Sequence, residues 1–191
     1  ATVGLEFMDQ MREAGTTLDA VLVAAGGGGL TGGVACAVKQ MQPSTAVFVV
    51  EQTAADTMHR SIAAGTPQRL DTVRTIADSL VAPQCEPYSF ALNQQFADEV
   101  VLVDDSQIRE AMRLLFRSAK LVVEPAGAAA LAALMFPLRE RLDARRHVTG
   151  AELSWACRDL ALERFGLLAH SVLEHWRVTR TADFGRIVCA L

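Results

Sequence analysis

An apolar run, Asp19-Ala20-Val21-Leu22-Val23-Ala24-Ala25, empties into four consecutive glycines, Gly26 to Gly29, and then into Leu30 and Thr31 at the head of a helix-forming stretch. Glycine costs about 0.5–1 kcal/mol relative to alanine inside regular structure, so four in succession weaken a chain unless the bare backbone is used. Without a Cβ, successive peptide N–H groups can turn together toward a ligand. A helix N-terminus adds unpaired donors and the positive end of a dipole. The junction therefore suits a phosphate or another anion. The alternative, a plain strand-to-helix turn, needs only one or two glycines.

The surrounding pattern places this junction in an α/β frame. Apolar positions at helical spacing over residues 4 to 14 stop at Gly15. After strand 19–25 and the glycines, a helix is expected over about 31 to 41, ending before Pro43. Ala46-Val47-Phe48-Val49-Val50, closing on Glu51, has the β-branched content of a buried parallel strand, which completes a βαβ unit. A helix over 53–64 leads to a Pro- and Gly-punctuated connection over 65–87, a length that is uncommon in a compact domain without a task. Then come a helix over 88–97, a strand over 99–103, and a cap cluster, Asp104-Asp105-Ser106, in which Asp105 is expected as the cap. The helix it opens carries Ile108, Met112, Leu115 and Phe116 at the spacing of one buried stripe. Glu124-Pro125 opens a last, alanine-rich helix from Ala126 to Leu134.

Composition removes several function classes. The 191 residues are 51% hydrophobic with a net charge of −4, and charges of both signs are scattered, so no electrostatic footprint for nucleic acid is present. Arg139, Arg141, Arg145 and Arg146 alternate with Glu140 and Asp143 as on a solvated helix face. No apolar run reaches membrane-span length, and no signal core opens the chain. Cys36, Cys85, Cys157 and Cys189 are widely separated, which argues against disulfides or structural zinc and for a reducing cytoplasm. His170 and His175 are five residues apart and fall on different faces of a helix, so with Glu174 they do not read as a metal site. The chain begins at Ala1 with helical texture almost at once, which is the expectation for a piece of something longer.

Two cofactors compete for the glycines. Gly27-x-Gly29-x-x-Gly32 follows a strand and opens a helix, and Glu51 ends the next strand where the ribose-binding acid of a dinucleotide fold belongs. That spacing supports a nicotinamide-binding oxidoreductase domain. Three segments together favour another cofactor. Gly26-Gly27-Gly28-Gly29-Leu30, Thr75-Ile76-Ala77-Asp78-Ser79-Leu80 followed by Glu86-Pro87-Tyr88-Ser89-Phe90, and Ala119-Lys120-Leu121-Val122-Val123-Glu124-Pro125-Ala126-Gly127-Ala128-Ala129 resemble the threonine dehydratase and serine racemase group. These are pyridoxal-phosphate enzymes of the tryptophan-synthase-β-like fold, fold type II. The resemblance runs from about residue 2 to about residue 142.

The resemblance implies a three-layer, open, mostly parallel sheet with helices on both faces. Residues 1–142 would be the C-terminal part of the cofactor-binding large domain, and 143–191 a divergent tail with a last strand at 186–190. It implies pyridoxal 5'-phosphate held through the N–H groups of Gly26, Gly27, Gly28, Gly29 and Leu30, with Ser79 near the ring and Glu124 near its substituents. Cys189, in Ile187-Val188-Cys189, matches the start of a strand whose cysteine meets the pyridine nitrogen in one branch of the family. Some members bind a divalent cation, for which Glu51 and the Ala55 carbonyl match two ligands, and Thr57 stands where a second carboxylate is expected. No catalytic residue is assigned, because the family's Schiff-base lysine sits in a Ser-x-Lys type motif and this chain has only Lys39 and Lys120, neither in one. Lys39 is about ten residues along its helix, roughly 15 Å from the phosphate end. The expected parent activity is dehydration and deamination of L-threonine or L-serine to a 2-oxo acid and ammonia, by a dimer or larger homo-oligomer acting on a small amino-acid substrate. The chain alone is expected to be inactive. A non-catalytic remnant is the third reading.

Overall fold

Among the described residues, parallel pairing of three short strands organises the fold. The structure, a computed structural model, describes residues 1–139, 141 and 169–175. One unit spans Ala1–Arg141 and contains α1 (Thr2–Glu13), β1 (Ala20–Ala24), α2 (Gly29–Met41), β2 (Ala46–Gln52), α3 (Thr57–Ala64), α4 (Pro87–Phe96), β3 (Glu99–Val103), α5 (Asp105–Leu114) and α6 (Pro125–Met135). A second unit spans Leu142–Leu191, and its described element is α7 (Ala169–His175). The strand expected at 186–190, with Cys189, lies outside the described residues.

The sheet order is β1-β2-β3, with both pairings parallel; Ala20 sits opposite Ala46 and Phe48 opposite Glu99. Every residue from Val47 to Gln52 is buried. Successive side chains of a strand point to opposite faces, so continuous burial means that both faces of β2 are covered. On one face Val21, Val23 and Val47 pack with Val34, Ala35 and Val38 of α2 and with Met8 of α1. Of these, the buried Met8, Val34, Val38 and Val47 each stabilise by about 1.5–3 kcal/mol. Helix α6 lies across all three strands and buries Ala126, Ala128, Ala129, Ala132 and Ala133. Side chains that end at Cβ let this helix lie close on the sheet.

Four expectations change. Helix α2 begins at Gly29, not Thr31, because Gly28 takes a left-handed conformation (φ 82°) and acts as its N-cap. Asp104, not Asp105, caps α5: its carboxylate accepts from the N–H groups of Ser106 and Gln107, and the Gln107 side chain accepts from the Asp104 N–H in return. The stripe of α5 is carried by Ile108 and Ala111, while Phe116 is 61% exposed. A π-helical turn over Leu115–Ala119, ended by the left-handed Lys120, breaks the 3.6-residue register between them. Strand β2 does not close on Glu51 but runs on to Gln52, and both residues are buried. Among the described residues, no helix is long and apolar enough to cross a membrane.

Candidate anion-binding site

Where β1 ends, the backbone from Ala24 to Thr31, with Ser79 and Leu80, lines a cavity of about 250 Å³. That is several times the roughly 30 Å³ a water takes in the liquid, and it admits a phosphate group. Ala25 still donates its N–H to Val50, but the N–H groups of Gly26 through Thr31 meet no acceptor among the described residues. Those of Gly29, Leu30 and Thr31 are the open donors of the first turn of α2. Side-chain bulk is absent where it would matter. A Cβ on Gly28 would collide with Met58 Cε and stand 3.0 Å from Asn93 Nδ2, whereas one on Gly27 would meet only Ala82 Cβ at 3.9 Å. The donors, the cavity and the bare backbone fit a phosphate monoester.

The Gly28 carbonyl is turned the other way, into the protein. It accepts from the Gly32 N–H (3.0 Å), from Thr31 Oγ1 (3.0 Å) and from Asn93 Nδ2 (2.8 Å). Asn93 is buried on α4, and its Nδ2 also donates to the Ser89 carbonyl (2.8 Å), while its Oδ1 is buried without a partner.

Ser79 and Glu124, expected near a cofactor ring, meet: Ser79 Oγ donates to Glu124 Oε2 (3.1 Å) although 45 positions separate them. Ser79 belongs to a 3-10 turn, Asp78–Leu80, that packs on α6. A Cβ on Gly26 would stand 3.4 Å from the Ser79 and Leu80 carbonyl oxygens, so this turn forms a wall of the glycine cavity. The long connection is held by Asp105, whose Oδ1 accepts from Thr75 Oγ1 (2.7 Å) and Gln52 Nε2 (2.9 Å) and whose Oδ2 accepts from the Ile76 N–H (3.2 Å). The connection thus sets Ser79 against the glycine cavity, and Asp105 ties Thr75 and Ile76, just upstream of it, to the end of β2.

Glu51 has a different place from either role expected of it. It is fully buried, and its two carboxylate oxygens accept from the Met58 and His59 N–H groups, both at 2.8 Å, at the start of α3. Thr57 Oγ1 adds a longer bond of 3.4 Å. Burial pushes its carboxyl up from 4.5 to about 7, against the pull of those N–H groups. A carboxylate committed to a helix start presents nothing to a ribose, and the dinucleotide reading loses its acid. The metal expectation on Glu51 and the Ala55 carbonyl loses its anionic ligand in the same way, and no cluster of three His, Cys, Asp or Glu suited to a metal occurs among the described residues.

Neither lysine approaches the cradle. Lys39 Nζ pairs with Asp98 Oδ2 (2.7 Å) and donates to the Thr45 carbonyl (2.8 Å), binding the far end of α2 to the edge where β2 starts. Lys120 is exposed and donates to the Arg117 carbonyl. Sequence reasoning missed Asn93 and Asp105 as supports of the site. Asn93 left one signal, a polar residue three positions after Phe90 on the buried side of its helix. Asp105 left none beyond its adjacency to Asp104.

Residues 1–154 match the family described as "Pyridoxal-phosphate dependent enzyme". The chain is 47% identical over 146 residues to the phenylserine dehydratase of Ralstonia pickettii, covering 76% of this chain and 44% of that protein. It is 34% identical over 134 residues to the L-threonine ammonia-lyase of Thermotoga maritima, covering 70% and 32%. Among solved structures, maize serine racemase superposes with a TM-score of 0.68 at 36% identity, covering 75% of this chain and 43% of that one. The chain therefore spans less than half the length of each of these relatives.

Proposed function

Because the chain belongs to the pyridoxal-phosphate dependent enzyme family, we propose that it supplies the phosphate cradle and one side of the ring environment for an enzyme that dehydrates and deaminates β-hydroxy-α-amino acids. The observation that carries this reading is the unbroken set of unpartnered N–H groups from Gly26 to Thr31 around the cavity. L-Threonine and L-serine are the substrates favoured by the likeness to the threonine enzymes and the serine racemase; phenylserine enters through the R. pickettii relative. All three carry a hydroxyl at the β-carbon, and the reaction removes that hydroxyl and the α-proton, giving a 2-oxo acid and ammonia.

The residues present divide the work. Gly26 to Gly29 and Leu30 bind the phosphate by N–H donation, helped by the positive end of the α2 dipole, which is worth about 0.3–1 kcal/mol for a nearby anion. Ser79, which donates to Glu124 and lines the same cavity, is our proposed neighbour of the ring, with Glu124 near its substituents. When bound, pyridoxal phosphate supplies an electron sink for the substrate α-carbon. In this reading neither Lys39, paired with Asp98, nor Lys120, bonded to the Arg117 carbonyl, is the covalent anchor or moves the α-proton. The isolated chain is accordingly inactive. Cys189 remains our proposed partner of the ring nitrogen.

Calorimetric titration of the 191-residue chain with pyridoxal 5'-phosphate and with pyridoxal tests the cradle directly. Binding of the phosphate ester at least tenfold tighter than pyridoxal is the expected outcome; equal affinities, or no binding of either, refute it. A 2-oxo acid assay with the chain, cofactor and L-threonine should stay at background, and turnover would refute the assignment of proton chemistry to residues outside this chain.

A further inference from the structure

We propose that Asn93 is a positioning residue that sets the phosphate cradle by clamping the Gly28 carbonyl, so that the peptide joining Gly28 to Gly29 presents its N–H to the ligand. The proposal rests on the phosphate reading above. Its geometric basis is the planarity of the trans peptide, in which the carbonyl of one residue and the N–H of the next point in opposite directions. No peptide bond in the described chain is cis. With its oxygen drawn inward by Asn93 Nδ2, Thr31 Oγ1 and the Gly32 N–H, the Gly28–Gly29 peptide must direct the Gly29 N–H away from α4, and Gly29 lines the cavity.

Of the three donors, the Gly32 N–H is the ordinary helical partner, and Thr31 belongs to the same turn. Only Asn93 comes from elsewhere, 65 positions along the chain. It is the side-chain bond that ties the first turn of α2 to another element, so it fixes the turn relative to the protein and not merely to itself. Its amide orientation is unambiguous, since both neighbours of Nδ2 are carbonyl acceptors. Asn93 is itself fully buried, so both bonds of its Nδ2 are made away from solvent. Space agrees, because Nδ2 stands 3.0 Å and 3.1 Å from where Cβ atoms on Gly28 and Gly32 would lie, so the clamp closes only on glycine.

Three variants of the full chain and one spectrum decide it. Asn93→Leu keeps the branched shape and removes the donor. Gly28 retains two other donors, so no carbonyl is stranded and the fold should persist. Leu92→Ala, also on α4 and facing Gly32, is the packing control. Thr31→Val removes the donor from within the turn. With inorganic phosphate and pyridoxal 5'-phosphate as probes, Asn93→Leu should weaken both about tenfold, with an unchanged urea midpoint; Leu92→Ala should stay within twofold in affinity while losing stability. Thr31→Val should weaken binding less than Asn93→Leu. In the wild-type chain, phosphate titration should move the Asn93 side-chain amide resonances in step with the Gly29 amide. Equal affinity of Asn93→Leu and wild type, or an Asn93 amide that stays still while Gly29 moves, overturns the clamp and leaves the cofactor reading standing. Failure of the wild-type chain to bind either probe overturns both.

Discussion

Gly28→Ala is the sharpest probe of the cradle, because the structure separates its effect from that of the same change one residue earlier. At Gly28 the backbone is left-handed, φ 82°, where a side-chain-bearing residue loses about 1–2 kcal/mol. The added Cβ would also overlap Met58 Cε and press on Asn93 Nδ2 at 3.0 Å, both on fully buried residues, which adds about 1–3 kcal/mol of overpacking. The sum is about 2–5 kcal/mol, a large share of the total for a unit of this size. Gly27→Ala meets only Ala82 Cβ at 3.9 Å and has no left-handed backbone, so its stability should stay within about 1 kcal/mol of wild type. Urea unfolding followed by far-ultraviolet circular dichroism compares the two midpoints. If Gly28→Ala unfolds at the same urea concentration as Gly27→Ala, the left-handed cap is not a fixed feature, and the inward carbonyl on which the site depends is lost with it.

Glu51 predicts a pH dependence. Its carboxyl is raised from 4.5 to about 7 in the folded chain, so between those values the folded state holds more protons than the unfolded one and stability falls as pH rises. The contribution is greatest below pH 4.5 and is lost by pH 7 and above, up to about 3 kcal/mol. Urea midpoints at about pH 5 and about pH 8, either side of the folded value, should fall farther apart in wild type than in Glu51→Gln; equal slopes in the two proteins refute the assignment. Asp105→Ala strands Gln52 Nε2, Thr75 Oγ1 and the Ile76 N–H, and hydrogen exchange over residues 75–80 should accelerate at least tenfold while β3 stays protected. Gly32→Ala sets a methyl 2.9 Å from Leu92 Cβ, and about 1–3 kcal/mol of stability should disappear as α4 is pushed from α2, measurable in the same urea assay.

Strands were readable because their sequences satisfy local and tertiary demands together: Glu99–Val103 is β-branched, lies between helical segments, and forms β3 over those same residues. The cap of α5 is only half legible: the sequence marks the aspartate cluster but points to Asp105, whereas Asp104 pairs with Gln107, and two adjacent aspartates leave the cap ambiguous until a partner takes one of them. Thr75 and Ile76, some thirty positions upstream, take Asp105. No local rule contains that information. The early start of α2 is hidden for a related reason, since glycine is a poor helix former and nothing local marks Gly28 as the left-handed cap whose carbonyl Thr31, Gly32 and the distant Asn93 all hold. Phe116 was misplaced because a helical stripe extrapolates only while the register lasts, and the π turn ends it. Glu51 is misplaced because an acid after five apolar residues looks like the end of a strand. Its burial follows from α3, which starts six residues later and supplies the N–H groups that hold it.

The location of the site follows from strand direction. Three parallel strands place their carboxyl ends along one edge, and ligands in open α/β sheets bind off that edge. Each end here carries one part of the apparatus: glycines after β1, Gln52 at the end of β2, and Asp105 just after β3. Gln52 and Asp105 share a hydrogen bond, and together with Thr75 they lash the long connection across the edge toward the glycines. Glu124 comes to the same place at the N-terminus of α6, where it receives the Ser79 hydroxyl. An antiparallel arrangement would send alternate ends to opposite sides and scatter these groups. The glycines make an anion site possible, but the parallel sheet gathers a second wall in front of them. This arrangement also predicts a separation of effects: loosening Asp105 should disturb the ring side before the phosphate side. Asp105→Ala should therefore keep its affinity for inorganic phosphate within about twofold while losing affinity for pyridoxal 5'-phosphate, and equal losses for the two probes would refute the division.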